Sequence, residues 1–295
     1  MKKTRKALQT PPIKSAVSLF FFGLCAYPSH GQALLWEISG NGLSQTSYLF
    51  GSIHIQDKRV FELDSMVWDR FEKASHFALE FDLESVNPHE MATRMMMPRP
   101  YSEWLSESDL QLLKDVVEKH TVMPFFAVDR MKPFFVSALI SQSVLASDEE
   151  DALDLYFLKK ARMANKTILE LESFSEQMNV IDQIPLEEQL ESLLTLIREP
   201  DLENHLQTDA ENLIATYLSQ DDTQLYQLIL ESDDSDTFMK QFLVKRNHTM
   251  LTKIQTFVAN GSTFIVVGAG HLSGEEGLVN LLKGEGYVLV PIVFN

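Results

Sequence analysis

The chain has 295 residues, 45% of them hydrophobic, enough for one good-sized folded domain or two interleaved lobes. Its 42 acidic residues outnumber 25 basic ones for a net charge of −17, and such a surface repels phosphate backbones and anionic membranes, which argues against nucleic-acid binding. The one cysteine, Cys25, lies in a segment expected to be removed, so disulfides and thiol catalysis are excluded for the remaining chain.

Residues 1–31 read as a secretory signal peptide. Lys2, Lys3, Arg5, Lys6 and Lys14 form a basic start, the apolar run Ser15 to Tyr27 follows, and small residues close the segment. The run is too short to span a bilayer. Ser29 and Gly31 supply the small side chains needed for cleavage after Gly31, with cleavage after Ala33 as the alternative. Leu24 stands before Cys25 where lipoprotein signals carry a small residue, so no stable membrane anchor is expected. The mature domain, 32–295, is expected in the periplasm or the medium. It keeps 20 basic and 42 acidic residues, a net charge of about −22 spread through helical segments as a solvated surface.

Leu34 to Ile38 and Ser47 to Phe50 read as short strands around the turn Ser39-Gly40-Asn41-Gly42. The second runs into Gly51-Ser52-Ile53-His54. Met66, Val67, Phe71 and Ala74 have helical spacing, with Asp64 or Ser65 as the cap. A strand is expected over His76 to Asp82, with Ala78, Glu80 and Asp82 on one face and Phe77, Leu79, Phe81 and the following Leu83 on the other, core-facing one.

Asn87 to about Leu145 is Met- and Phe-rich, has helical spacing and breaks at Pro98, Pro100, Pro124 and Pro133, which suggests a helical insertion or lid. Its Met91, Met95, Met96 and Met97 suit adaptable core packing better than a greasy binding surface. Asp148 to Ala164 is an amphipathic helix and Lys166 to Leu171 the next strand. Ser173 and Glu176 have capping-box spacing, Pro185 begins another helix, and helices continue to about Phe257.

Thr263 to Val267 is a buried-type strand ending in Gly268-Ala269-Gly270-His271. A short helix over Gly277 to Leu282, a turn, and a strand over Tyr287 to Val293 complete the chain. Tyr48 to Asp82 and Phe264 to Val293 thus repeat one order of strand, Gly-x-x-His, helix and strand. The fold expected is α/β, a mixed sheet flanked by helices with this repeated unit at its two ends and a helical insertion between. Ligands bind such sheets beyond the carboxyl ends of strands, where both histidines fall.

A glycine at a strand end permits a sharp turn and close approach, and a histidine three residues on projects over the sheet edge. Glu80 in an apolar strand and Glu172 at the end of another are costly to bury unless paired, protonated or metal-bound. His54, His271 and Glu80 are therefore candidate ligands for a divalent metal of open identity, although their separation fits no compact zinc signature. Glu80 is equally a candidate general base on water without any metal. No Gly-x-Ser-x-Gly elbow or phosphate-binding glycine loop is present. His76, His89, His120, His205 and His248 have no partner spacing and read as structural or surface residues.

These residues resemble the TraB/GumN family, which includes Tiki-type proteases and is distantly similar to erythromycin esterases and ChaN haem-binding proteins. The resemblance runs through Tyr48 to His54, Leu79-Glu80-Phe81-Asp82, Leu153-Asp154-Leu155-Tyr156, Leu171-Glu172-Ser173, Pro185 to Gln189, Arg246-Asn247 and Val267 to Leu272. Ser52 and Ser173 stand where threonine is commoner. The resemblance implies a site at the two Gly-x-x-His motifs with Glu80 nearby and, for Tiki-like members, a metal-dependent peptidase activity. Arg246, Asn247 and Glu172 are candidate substrate-binding residues, Arg246 alternatively pairing with Glu172. The leading expectation is an exported metal-dependent hydrolase acting on peptides or another small substrate. The alternatives are a non-catalytic protein binding haem, metal or peptide in the same cleft, and a metal-independent esterase.

Overall fold

The computed structural model describes residues 33–145, 147–231 and 236–294; the expected leader, 1–31, lies outside them. The six strands are β1 (Leu35–Gly40), β2 (Ser47–Ser52), β3 (His76–Leu79), β4 (Thr167–Glu170), β5 (Thr263–Gly268) and β6 (Tyr287–Ile292). They form one sheet in the order β4-β3-β5-β2-β1-β6. β1 is antiparallel to both neighbours, while β2, β5, β3 and β4 pair in parallel. The sheet is therefore mixed, and the fold is α/β as expected.

The first hairpin closes because Gly40, Asn41 and Gly42 all take positive φ, a conformation that glycine and asparagine adopt at least cost. β2 and β5 are buried almost throughout, which is why both read as apolar runs. Their register sets Ser52 opposite Gly268, so the two Gly-x-x-His motifs leave neighbouring strand ends. Helix Ser65–Lys73 starts at Asp64, whose side chain accepts from Met66 N–H, and helix Phe174–Ile181 starts with the expected Ser173/Glu176 capping box.

Helix Leu153–Met163 is fixed to the sheet by Phe157, whose ring lies 5.3 Å from that of Phe50 on β2 and 5.6 Å from that of Phe264 on β5. This packing matters for the site, since it holds the first turn of the helix, with Asp154, over the end of β2. The helix starts at Leu153 and not at Asp148 because residues 147–150 are bound to the loop after His54. Glu149 N–H donates to Gln56 O at 3.0 Å, and Gln56 Nε2 donates to Glu150 O at 2.9 Å.

β3 is shorter than its sequence pattern. It ends at Leu79, and Leu83, expected on the core face, is 49% exposed. Local side-chain bonds take over from the ladder here: Glu170 Oε1 accepts from Asp82 N–H, and Asp82 caps the 3-10 turn Leu83–Ser85. Glu80 accordingly sits just beyond the strand end.

The Met- and Phe-rich segment is helical, with Pro133 opening helix Pro133–Gln142. It is not a self-contained insertion, however. Its core residues Met97, Tyr101, Leu113 and Val136 are completed by Leu193 and Leu206 from helices Leu186–Ile197 and Leu202–Leu218. Met97 is a core residue, whereas Met91 packs against a separate apolar cluster with Phe174 and Phe242. No helix among the described residues is long and apolar enough to cross a membrane.

Candidate functional site

The four parallel strands bring their carboxyl ends to one edge of the sheet. Gly51 makes the tightest approach there: a Cβ on it would stand 2.6 Å from Leu272 Cδ1 and 3.1 Å from Ala269 Cα. Only glycine lets the end of β2 pack on the 3-10 turn Ala269–His271. Tyr217 donates its hydroxyl to Gly51 O at 3.0 Å. A Cβ on Gly268 would face Glu80 Oε1 at 3.3 Å and His271 Cδ2 at 3.8 Å, so this glycine keeps space between the carboxylate and the imidazole.

Glu80 is engaged at both oxygens. Oε1 accepts from Gly268 N–H at 2.7 Å and Oε2 from Arg246 Nη2 at 2.5 Å. The same guanidinium donates to Glu172, through Nε to both oxygens at 3.1 Å and through Nη2 to Oε1 at 2.5 Å. Arg246 and Glu172 side chains are only 5% and 2% exposed, and Phe242 lies under the guanidinium at 4.8 Å. His271 is buried with its Nε2 3.7 Å from Glu80 Oε1, too long for a hydrogen bond. Asn247 Oδ1 lies 2.6 Å from His271 Nδ1, and Asn247 Nδ2 donates to Glu276 O at 2.8 Å.

His54 is the exposed member, 59% open to solvent, with Nδ1 3.0 Å from Asp154 Oδ1. That contact is an ion pair and not an aligned hydrogen bond, since Asp154 Oδ1 has no hydrogen-bond partner. The Asp154 carboxylate raises the imidazole to about 9. For Glu80 burial acts upward but is outweighed by the Arg246 guanidinium, helped by protonated His54 and the Gly268 N–H bond, which hold the carboxyl well below its ordinary range. Burial and the Arg246 charge push His271 down to about 3, so its imidazole is neutral. Burial raises Glu172 despite its bonds to Arg246.

The structure thus brings all six sequence candidates, His54, Glu80, Glu172, Arg246, Asn247 and His271, to the carboxyl edge of the sheet. Arg246, Asn247 and Glu172 are buried and bonded to protein partners, which makes them a frame around the histidines and Glu80 and not a free face for substrate. Asp154 is a site residue to which sequence reasoning assigned no role. Its sequence signals are its place in the Leu153-Asp154-Leu155-Tyr156 stretch that carries the resemblance and its position in the first turn of a helix among apolar residues. Tyr217, which braces Gly51, left no signal at all. A cavity of about 300 Å³ is lined by Leu34, Arg59, Val60 and Tyr217 and by none of the six candidate residues.

The His54–Asp154 pair carries a pH signature. A histidine raised from 6.5 to about 9 contributes stability that is fully present below 6.5 and is lost as pH rises through about 9. Solvent reaches more than half of the imidazole, so the contribution is expected to stay under about 1 kcal/mol. Urea midpoints of wild type and Asp154→Asn should converge between these pH values, and parallel pH dependences would refute the pairing.

Over 201 residues the chain is 23% identical to an uncharacterized protein of Treponema pallidum (strain Nichols), an alignment covering 63% of this chain and 58% of that protein. The chain therefore spans less than two thirds of the length of this relative. No solved structure matches. The TraB/PrgY/gumN family model matches residues 34–291, a span that holds both Gly-x-x-His motifs, Glu80, Glu172, Arg246 and Asn247, and the chain belongs to the TraB/PrgY/gumN family.

Proposed function

We propose that this protein is an exported metal-dependent hydrolase acting on peptide bonds, with its reacting centre between His54, Glu80 and His271. The observation that carries the reading is a charge imbalance. Glu80, Glu172 and Asp154 bring three negative charges to the site and Arg246 one positive charge. With both imidazoles neutral the group is short of two positive charges, the charge of one divalent cation. Without such a cation, His54 takes up a proton in response, which accounts for its raised pKa.

The donor set fits a divalent metal in type, two imidazole nitrogens and a carboxylate with room for further ligands. Its grouping is open: among the described residues no three His, Cys, Asp or Glu side chains stand together at metal-holding distance. His54 and His271 would supply the first ligands, and the exposed His54 is the side chain free to close on the ion. A bound divalent ion supplies Lewis-acid polarisation of the scissile carbonyl. The residues of the chain do the rest. Asp154 orients His54, Arg246 keeps Glu80 ionised, and Glu80 supplies the negative charge that draws the cation or, if freed from Gly268 N–H, accepts a proton.

A second reading, metal-free acid–base hydrolysis, is favoured by one specific observation. The two imidazoles are driven apart, His54 to about 9 and His271 to about 3, which leaves one protonated and one neutral at pH 7, the split that acid–base pairs use. The test is metal analysis of protein purified without a His tag, with turnover of a peptide library before and after chelation. The expected result is one divalent ion per chain, cleavage, and loss of cleavage on chelation. Cleavage that survives chelation selects the metal-free reading, and neither metal nor cleavage leaves a binding protein. N-terminal sequencing of protein from the native periplasm or medium is expected to start at Gln32 or Leu34; an intact cytoplasmic chain from Met1 would refute export.

A further inference from the structure

The two imidazoles of the site are held by chemically different partners, a carboxylate for His54 and a carboxamide for His271. The carboxamide is the more informative of the two, because its own orientation is fixed from outside. Asn247 is 2% exposed, and one end of its amide lies 2.8 Å from Glu276 O. A carbonyl oxygen only accepts, so the end facing it is the Nδ2 donor and the other end is Oδ1. Oδ1 in turn stands 2.6 Å from His271 Nδ1. Two acceptors would repel at that distance, so the ring nitrogen carries the proton.

We infer that Asn247 is a positioning residue that holds His271 as the Nδ1–H tautomer and turns an unprotonated Nε2 toward Glu80. The inference is about the buried frame of the site and does not depend on what the site binds. Nε2 stands 3.7 Å from Glu80 Oε1, beyond hydrogen-bonding distance, and both oxygens of Glu80 already accept from other donors. An imidazole anchored through one nitrogen, with the other as a bare lone pair, is the form in which histidine acts as a metal ligand. That last step rests on the metal reading proposed above. Asn247 had been a candidate for contacting substrate, but with both ends of its amide committed it has nothing left to offer one.

The chain of control is short and unidirectional. The Glu276 carbonyl orients Asn247, Asn247 orients His271, and the proton on Nδ1 decides which nitrogen faces the site.

Long-range ¹H–¹⁵N correlation of the histidine rings in the mature protein at pH 7, without added metal, reads the tautomer directly. The His271 signals are assigned by their loss in His271→Gln. The expected wild-type pattern is a protonated Nδ1 and an unprotonated Nε2, and a protonated Nε2 overturns the inference. Asn247→Leu, which cannot accept, should lose the pattern, whereas Asn247→Asp, which still accepts from Nδ1–H, should keep it. A folded Asn247→Leu that retains the wild-type pattern also overturns the inference. Should the leucine variant fail to fold, the wild-type and aspartate spectra still decide. Calorimetric titration with Zn²⁺ then separates tautomer from metal: about a 10-fold to 100-fold weaker affinity in Asn247→Leu is expected. Wild type with the expected tautomer but no zinc affinity would sink the metal reading while leaving the role of Asn247 intact.

Discussion

Arg246→Met is expected to destabilise the fold by about 3–5 kcal/mol, the range for removing one partner of a buried ion pair. The guanidinium is the only positive charge bonded to both Glu80 and Glu172 among the described residues, and its side chain is 5% exposed. Methionine keeps much of the volume and the contact with Phe242, so packing alone would cost little. What remains is two carboxylates in a buried site without a counter-charge. Their folded pKa values would then rise above the unfolded ones, because burial already pushes Glu172 upward with Arg246 in place. A raised carboxylate pKa penalises the folded state at pH above the unfolded value and is relieved as pH falls, so the loss should be larger at pH 8 than at pH 5. Urea midpoints at the two pH values check this. A loss under about 1 kcal/mol at pH 8 would show that the carboxylates do not depend on Arg246. Arg246→Lys is expected to rescue only part of the loss, since an ammonium lacks the planar fork that reaches both carboxylates at once.

Glu80→Gln is expected to lower kcat/KM by at least about 100-fold, the lower end for loss of a group acting on the reacting atoms. If the carboxylate were buried at a cost without partners, neutralising it would change stability little. The geometry revises that premise. A glutamine amide has one acceptor oxygen and would turn its Nε2 donor toward either Gly268 N–H or Arg246, both of them donors. A loss of about 1–3 kcal/mol is therefore expected alongside the loss of activity. Measuring kcat/KM and the urea midpoint on one preparation, once a cleaved peptide is in hand, separates the two effects. A folded variant with wild-type turnover would remove Glu80 from the reaction. A variant that is inactive only because it is unfolded at the assay temperature would assign Glu80 to structure.

The strongly held state of Glu80 also narrows its role. A carboxylate kept well below its ordinary range is a weak base, and both of its oxygens accept from fixed donors. It is better suited to supplying charge than to taking protons, unless a ligand displaces one of those donors. That distinction was invisible in the sequence, where Glu80 was simply an acidic residue in an apolar strand.

Much of the architecture was legible because short-range chemistry sets it. Positive-φ positions at Gly40, Asn41 and Gly42, the Ser173/Glu176 capping box and the buried run Thr263 to Val267 each act over a few residues. The glycines of both Gly-x-x-His motifs were legible for the same reason, and they pointed to the strand ends where the site lies. The ends of β3 and of helix Leu153–Met163 were not, because they depend on bonds to Glu170 and to the loop at Gln56, far away in sequence. The helical lobe looked like an insertion for a related reason: its missing core residues, Leu193 and Leu206, come from helices that follow β4.

The sequence by itself pointed to His54, Glu80, Glu172, Arg246, Asn247 and His271, though not to Asp154, since buried carboxylates and strand-end histidines are improbable without a purpose or a partner. Only the tertiary structure decided what each one does there. It gave Arg246 to Glu80 and Glu172, Asp154 to His54 and Asn247 to His271, and so drives the pKa values of the two imidazoles apart. The physical reason is that charge state follows from burial and from groups within a few ångströms, and in this fold those groups are 24 to 166 residues apart along the chain.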